Sequence, residues 1–256
     1  MAARVVILTA ACLCLAAAGA ASARAFPHFG AGCARADFRT SLGPIRAERC
    51  GPSKAERAVV VLHGCGGFST FDHQLAVDLP RYGIATLYVD YFQPTPPTGK
   101  RGYCSLGHRD PGLFGVWETV AVDAAASLRP HYRRVGAVGW SLGAGVAVAA
   151  AEDHHAFDAV AAFSALASAG VLQHARALPP TIFLSGGSRD IVKPENARRL
   201  FDAARRAGVP AALFVYPNGT HDWPGKQGET GRLKAARFLL RRLRYSPATS
   251  RRKKTT

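Results

Sequence analysis

Cysteine is scarce, six residues in 256. That excludes a small disulfide-built scaffold and leaves a buried apolar core to support the fold. Acidic residues are also few, 17 Asp and Glu against 33 Lys and Arg, for a net charge of +16. The chain lacks internal repeats of about 20–50 residues, which excludes solenoids and propellers. Its 26 glycines follow no period of three, so it is not collagen-like. Zinc-finger spacings, RNP-like aromatic strands and helix-turn-helix patterns are absent, so the positive charge has no nucleic-acid motif beside it. No apolar run reaches the ~20 residues that a bilayer-spanning helix needs. With 48% hydrophobic residues the chain is too apolar to be largely disordered, and its length fits one sizeable domain or two small ones.

The longest apolar run is the first. Met1-Ala2-Ala3-Arg4 is followed by Val5 to Ala20 without a charge, then by the small-residue sites Ala21-Ser22-Ala23 and Ala23-Arg24-Ala25. This is the tripartite pattern of a secretory signal peptide. An uncleaved anchor helix is the alternative, and a lipoprotein processed at Cys12 ranks lower because too little apolar sequence precedes it. Residues 1–25 are therefore expected to be removed, leaving 231 residues at +14 once Arg4 and Arg24 are gone. A charge of that size suits anionic surroundings. It is read here as weak electrostatic association with an anionic envelope surface, without a nucleic-acid partner. The last residues, 246–256, include Arg251-Arg252-Lys253-Lys254 and form a basic tail with no apolar period.

Four cysteines remain after cleavage: Cys33, Cys50, Cys65 and Cys104. An even number in an exported chain suggests two disulfides in one of three connectivities. The shortest loops come from Cys33–Cys50 and Cys65–Cys104, and four buried free thiols are the alternative.

Residues 26–56 are irregular, with room for one or two short edge strands. Regular alternation follows within a domain spanning 26–245. The spacing predicts strands at Ala58–Leu62, Ile84–Val89, Val135–Trp140, Ala159–Phe163, Thr181–Ser185 and Ala212–Tyr216. Helices are predicted at Phe71–Arg81, Leu113–Leu128, Leu142–Glu152, Pro194–Ala207 and Glu229–Leu243, with a long Pro- and Gly-rich loop over 91–112. Strands alternating with helices imply right-handed βαβ units: an α/β fold with a mostly parallel, doubly wound sheet and helices on both faces. In such sheets function sits beyond the carboxyl ends of the strands.

Three strand ends carry reactive residues. Gly139-Trp140-Ser141-Leu142-Gly143 is a G-x-S-x-G turn between a strand and a helix, the pattern that exposes a serine hydroxyl. Asp190 follows the fifth strand and His221 the sixth, in the order Ser…Asp…His expected of a serine nucleophile, its orienting acid and its base. Asp190 as a helix cap and His221 as a surface loop histidine are the plainer readings of each alone. Asp222 ranks second as the acid. An oxyanion hole needs two backbone N–H groups. Leu142, just after the serine, supplies one, and Cys65 in His63-Gly64-Cys65-Gly66-Gly67 supplies the other. His63 is expected to brace that loop. Tyr91, Phe92, Tyr103 and Leu106, with Trp140 and Trp223, are expected on the pocket wall, although each could equally be core.

HGCGG after a strand, GWSLG, SGGSRDIVKPE and NGTHDW together resemble the dienelactone hydrolase-like group of α/β-hydrolases over about residues 57–243. The absence of a long insertion for a cap domain fits that group. The resemblance implies hydrolysis of esters or lactones through an acyl-enzyme, without metal or cofactor. It also implies a difference in substrate. Ser141 stands where those enzymes usually carry cysteine, and His63-Gly64-Cys65 where they carry a glutamate, which favours a carboxylic ester, small or polymeric, over a dienelactone. A peptidase or amidase of the same fold and a non-catalytic basic envelope-binding protein are the rival readings.

Overall fold

The computed structural model describes residues 30, 32–95, 102–105, 111–167, 172 and 175–244. The segment read as a signal peptide, the basic tail and Leu106 lie outside the described residues.

Ten strands are described: β1 (Cys33–Arg35), β2 (Phe38–Thr40), β3 (Gly43–Ile45), β4 (Ala47–Cys50), β5 (Arg57–Leu62), β6 (Ala85–Val89), β7 (Arg134–Trp140), β8 (Val160–Phe163), β9 (Thr181–Ser185) and β10 (Ala211–Val215). Five α-helices accompany them: α1 (Thr70–Asp78), α2 (Pro111–Leu128), α3 (Leu142–Asp153), α4 (Pro194–Arg206) and α5 (Gly225–Arg242). Eight strands form one sheet in the order β1-β4-β6-β5-β7-β8-β9-β10. It is parallel from β6 to β10 and antiparallel at β1 and β4. The irregular lead-in thus holds four strands rather than one or two. β2 and β3 pair as a small separate hairpin, while β1 and β4 extend the main sheet. Cys33 faces Cys50 across the β1–β4 ladder, and the two are disulfide-bonded.

The central strands read as near-continuous apolar runs because both faces are covered. In β5, Val60 and Leu62 join a core under α2, α3 and α4, while Val59 and Val61 join a second core under α1 and α5. This is the doubly wound arrangement.

Helix α1 begins with a capping box: the Ser69 hydroxyl accepts from Asp72 N–H and the Asp72 carboxylate accepts from Ser69 N–H. It stops short of the predicted Arg81, giving way to a 3-10 turn over Leu79–Tyr82. Pro80 is the reason, since it has no N–H to offer the carbonyl of Ala76. That carbonyl accepts instead from the Thr86 hydroxyl of β6, at 2.7 Å.

Helix α5 begins four residues earlier than predicted. Gly228 and Gly231 weaken its intrinsic propensity by ~1 kcal/mol each. Both are needed sterically: a Cβ at Gly228 would sit 2.2 Å from the Trp223 carbonyl oxygen, and one at Gly231 would sit 2.6 Å from the Trp223 ring. Burial of Phe238 and Leu239 against the sheet, roughly 1.5–3 kcal/mol each, outweighs the loss. Among the described residues no helix is long and apolar enough to cross a membrane.

Candidate active site

Strand β7 runs into α3 through Ser141, whose backbone is held at φ 54° and ψ −116°, a conformation costly for any residue with a side chain. The glycines on either side make the turn possible. A Cβ at Gly139 would lie 2.2 Å from the Gly143 carbonyl oxygen, and one at Gly143 would lie 2.4 Å from the carbonyl oxygens of Leu62 and His63. The turn is anchored by Ser141 N–H, which donates to the Phe163 carbonyl at 2.8 Å. Ser141 sits at the N-terminus of α3, where unpaired N–H groups and the helix dipole favour negative charge.

Asp190 follows β9 and His221 follows β10. Their loops are joined by the Arg189 guanidinium donating to the Asn218 carbonyl at 2.7 Å. The Gln227 side-chain amide clamps Thr220, accepting from its N–H at 3.0 Å and donating to its carbonyl at 2.7 Å. The Trp140 indole N–H donates to the His221 carbonyl at 2.9 Å, and the indole lies beside the imidazole with ring centroids 5.3 Å apart. These contacts place His221 Nε2 3.0 Å from Ser141 Oγ and His221 Nδ1 2.7 Å from Asp190 Oδ1.

Asp190 is fully buried, yet each carboxylate oxygen meets two donors. Oδ1 takes His221 Nδ1 and, at 2.8 Å, Val192 N–H, while Oδ2 takes Gly186 N–H at 3.0 Å and the Ser164 hydroxyl at 2.5 Å. Asp190 therefore caps the segment after β9 as well as holding His221. Burial pushes its carboxyl up, but the bonds from His221, Ser164 and Val192 outweigh that and hold it below the usual carboxylate range. An ionised carboxylate can only accept, so the hydrogen of the Asp190–His221 bond is carried by Nδ1. Asp222 is exposed and the imidazole bond goes to Asp190.

His63 is buried and stacked on Tyr91, with centroids 4.2 Å apart. Its Nδ1 bonds the Gly64 carbonyl at 2.9 Å. Burial drives its imidazole down to about 4 against that bond, so it is neutral at ordinary pH. Gly143, next to Leu142 at the start of α3, lies close against the Leu62 and His63 carbonyls at the end of β5, just before the Gly64–Gly67 turn that holds Cys65. Cys65 is disulfide-bonded to Cys104.

The expected pocket wall needs correction. Tyr91 and Trp223 are core residues rather than lining. Tyr91 is fully buried, its hydroxyl donating to the His63 carbonyl at 2.7 Å, and Trp223 packs against Phe71 and Phe163 behind the site. Tyr103 is also buried, sharing a hydrogen bond with Thr95 at 2.6 Å. Phe92 and Trp140 are half-buried. The loop aromatics turn inward because Trp117 of α2 offers them a ring cluster. Sequence reasoning missed Ser164 and Gln227. A polar residue directly after the apolar strand Val160–Phe163 was the available signal for Ser164. Among the described residues, no group of three or more His, Cys, Asp or Glu is placed to hold a metal ion.

A sheet of this order, with a strand–turn–helix elbow at Ser141 and the Asp and His on later post-strand loops, places the protein among the α/β-hydrolases. More narrowly, the chain belongs to the dienelactone hydrolase family, whose model matches residues 45–242, and it is thereby a hydrolase. No curated protein matches it. Solved structures share the fold. A dienelactone hydrolase from Anabaena variabilis superposes with TM-score 0.62 at 22% identity, covering 83% of this chain and 100% of that one. An esterase from Pyrococcus furiosus gives 0.67 at 15%, covering 83% and 93%. A dipeptidyl peptidase 4 from Porphyromonas gingivalis gives 0.63 at 18%, covering 82% of this chain but 35% of its own.

Proposed function

We propose that this protein is an exported serine hydrolase that cleaves carboxylic esters or lactones through an acyl-serine intermediate. The observation that carries the reading is the unbroken chain Ser141 Oγ, His221, Asp190, with bonds of 3.0 and 2.7 Å. Ser141 Oγ attacks the ester carbonyl carbon while His221 Nε2 takes its proton. The carbonyl oxygen becomes an oxyanion held by the backbone N–H groups of Cys65 and Leu142. As the tetrahedral intermediate collapses, the alcohol leaves with the proton from His221, and the acyl group stays on Ser141. Water then attacks, losing its proton to His221, which passes it to the departing Ser141 Oγ as the acid is released. Asp190 keeps the imidazole in the required tautomer and stabilises its cation. Export is supported by the N-terminal pattern and by two disulfides, which persist in oxidising compartments. Exposed Lys234, Arg237 and Arg241 along α5 support weak association with an anionic surface.

The test is a panel of p-nitrophenyl esters from acetate to palmitate beside the matching p-nitroanilides. Ester turnover is expected, and His221→Ala should remove most of it. Turnover of the anilides alone would replace the esterase reading with an amidase, and a rate unchanged by His221→Ala would remove His221 from the base role.

The Cys65–Cys104 bond gives a second expectation. Cys104 is exposed, so dithiothreitol can reach it. The bond closes a segment of sequence separation 39, which chain-entropy reasoning values at on the order of 4 kcal/mol. It also ties one proposed oxyanion donor to the 102–105 turn. Mild reduction should lower ester turnover several-fold before circular dichroism reports unfolding. Turnover that falls only in step with unfolding would dissociate the bond from the oxyanion site.

A further inference from the structure

We propose that Ser164 is a positioning residue that sets the aim and basicity of the Ser141–His221–Asp190 relay, an inference that rests on the hydrolase reading above. Ser164 directly follows β8, is 1% exposed and has φ 50°, an outlier for a non-glycine residue. Its N–H donates to the Leu184 carbonyl of β9 at 2.7 Å.

Its hydroxyl lies between two partners whose chemistry fixes its direction. The Trp223 indole N–H, 3.0 Å away, can only donate. The Asp190 carboxylate, 2.5 Å away at Oδ2, can only accept. The serine proton must therefore point at Asp190. Trp223 is itself pinned, at φ 50°, with its ring against Phe71 and Phe163. The preceding residue, Phe163, supplies the carbonyl that anchors Ser141 N–H. The end of β8 thus touches all three reacting segments: Ser141 through Phe163, Asp190 directly, and His221 through Trp223 two residues beyond it.

Two consequences follow for the relay. The bond to Oδ2, with that from Gly186 N–H, fixes the carboxylate plane so that Oδ1 faces His221 Nδ1. The bond also draws charge away from Oδ1. Without the hydroxyl, Asp190 would present more charge to His221, favouring the imidazolium. The base would then stay protonated to higher pH. Among the described residues, the other groups bonded to or stacked on the imidazole are the Ser141 hydroxyl and the Trp140 ring, and neither is altered by a change at Ser164.

The test follows the His221 imidazole directly, by NMR titration of the mature protein labelled with ¹⁵N-histidine, with H221Q to assign the signal. Ser164→Ala and Ser164→Gly are both examined, since glycine favours φ 50° and keeps the fold if alanine does not. Both variants should move the His221 midpoint up by about 0.5–1 pH unit relative to wild type, with Trp223→Phe moving it less in the same direction. With ester substrate, kcat should fall about tenfold, KM should change less than twofold, and the acid limb should shift with the NMR midpoint. A folded S164G with an unmoved His221 midpoint overturns the proposal, because a purely structural role would lower rates equally at every pH. Absence of ester turnover in the wild type would instead overturn the hydrolase reading, and the NMR titration would still decide the role of Ser164.

Discussion

Replacing Ser141 by alanine is expected to cost on the order of 10⁶ in kcat, the scale of loss when a serine nucleophile of this type is removed, with the fold unchanged. Alanine has the same Cβ and no larger side chain, so the elbow between β7 and α3 closes as before. The loss therefore reads chemistry alone. The measurement is p-nitrophenyl ester turnover beside a thermal melt. Residual activity above about a thousandth of wild type would move the nucleophile elsewhere. Ser141→Gly adds a separate reading. It is equally inactive but free of the strain at φ 54°, roughly 1–3 kcal/mol, and so should melt higher than S141A after the entropy cost of glycine is set against the relief.

Asp190→Asn should lower kcat about 10⁴-fold, the typical effect of turning an orienting carboxylate into an amide, and should also destabilise the fold. The four donors around Asp190 explain the pairing of effects. An asparagine has one oxygen and one NH₂ group. With the NH₂ toward His221, the imidazole must turn its Nδ1 into an acceptor. Its proton then sits on Nε2, which can no longer take the one from Ser141. With the NH₂ on the other side, it meets the Gly186 N–H, which cannot reorient. One buried donor is left unpaired, at about 1–3 kcal/mol. Turnover and denaturant melts on the same preparation check both halves. A variant within tenfold of wild-type rate and equal in stability would return the orienting role to Asp222.

The legibility of this protein differed by layer. The strands from β5 to β10 were plain in sequence because a sheet covered on both faces demands runs such as Val59-Val60-Val61-Leu62, bounded by glycine and polar residues. Ser141, Asp190 and His221 stood out as a set because each lies just after such a run or on the loop that follows it, and the structure brings their side chains within hydrogen-bond distance. The four lead-in strands were hidden because strands of three or four residues at an edge have too little periodicity to register. The start of α5 was hidden because its glycines answer to Trp223, a residue outside the helix. The aromatic loop residues misled for a similar reason. Tyr91 and Trp223 come after strands as Ser141, Asp190 and His221 do, and only the presence of Trp117 and Phe71 beneath them decides that they turn inward. Ser164 escaped because its one local signal, a polar residue directly after an apolar strand, does not say what it bonds, and its partners lie 26 and 59 positions away.

On one side of the sheet, spatial order repeats synthesis order: β5, β7, β8, β9, β10. For a chain threaded through a pore or ribosome N-terminus first, the serine-bearing elbow can settle early and the aspartate loop next. The imidazole arrives only with the edge strand β10, after both. A chain that has emerged only through β9 therefore carries Ser141 without His221 beside it. On the hydrolase reading proposed above, reactivity would be withheld by geometry until the last strand and helix have docked.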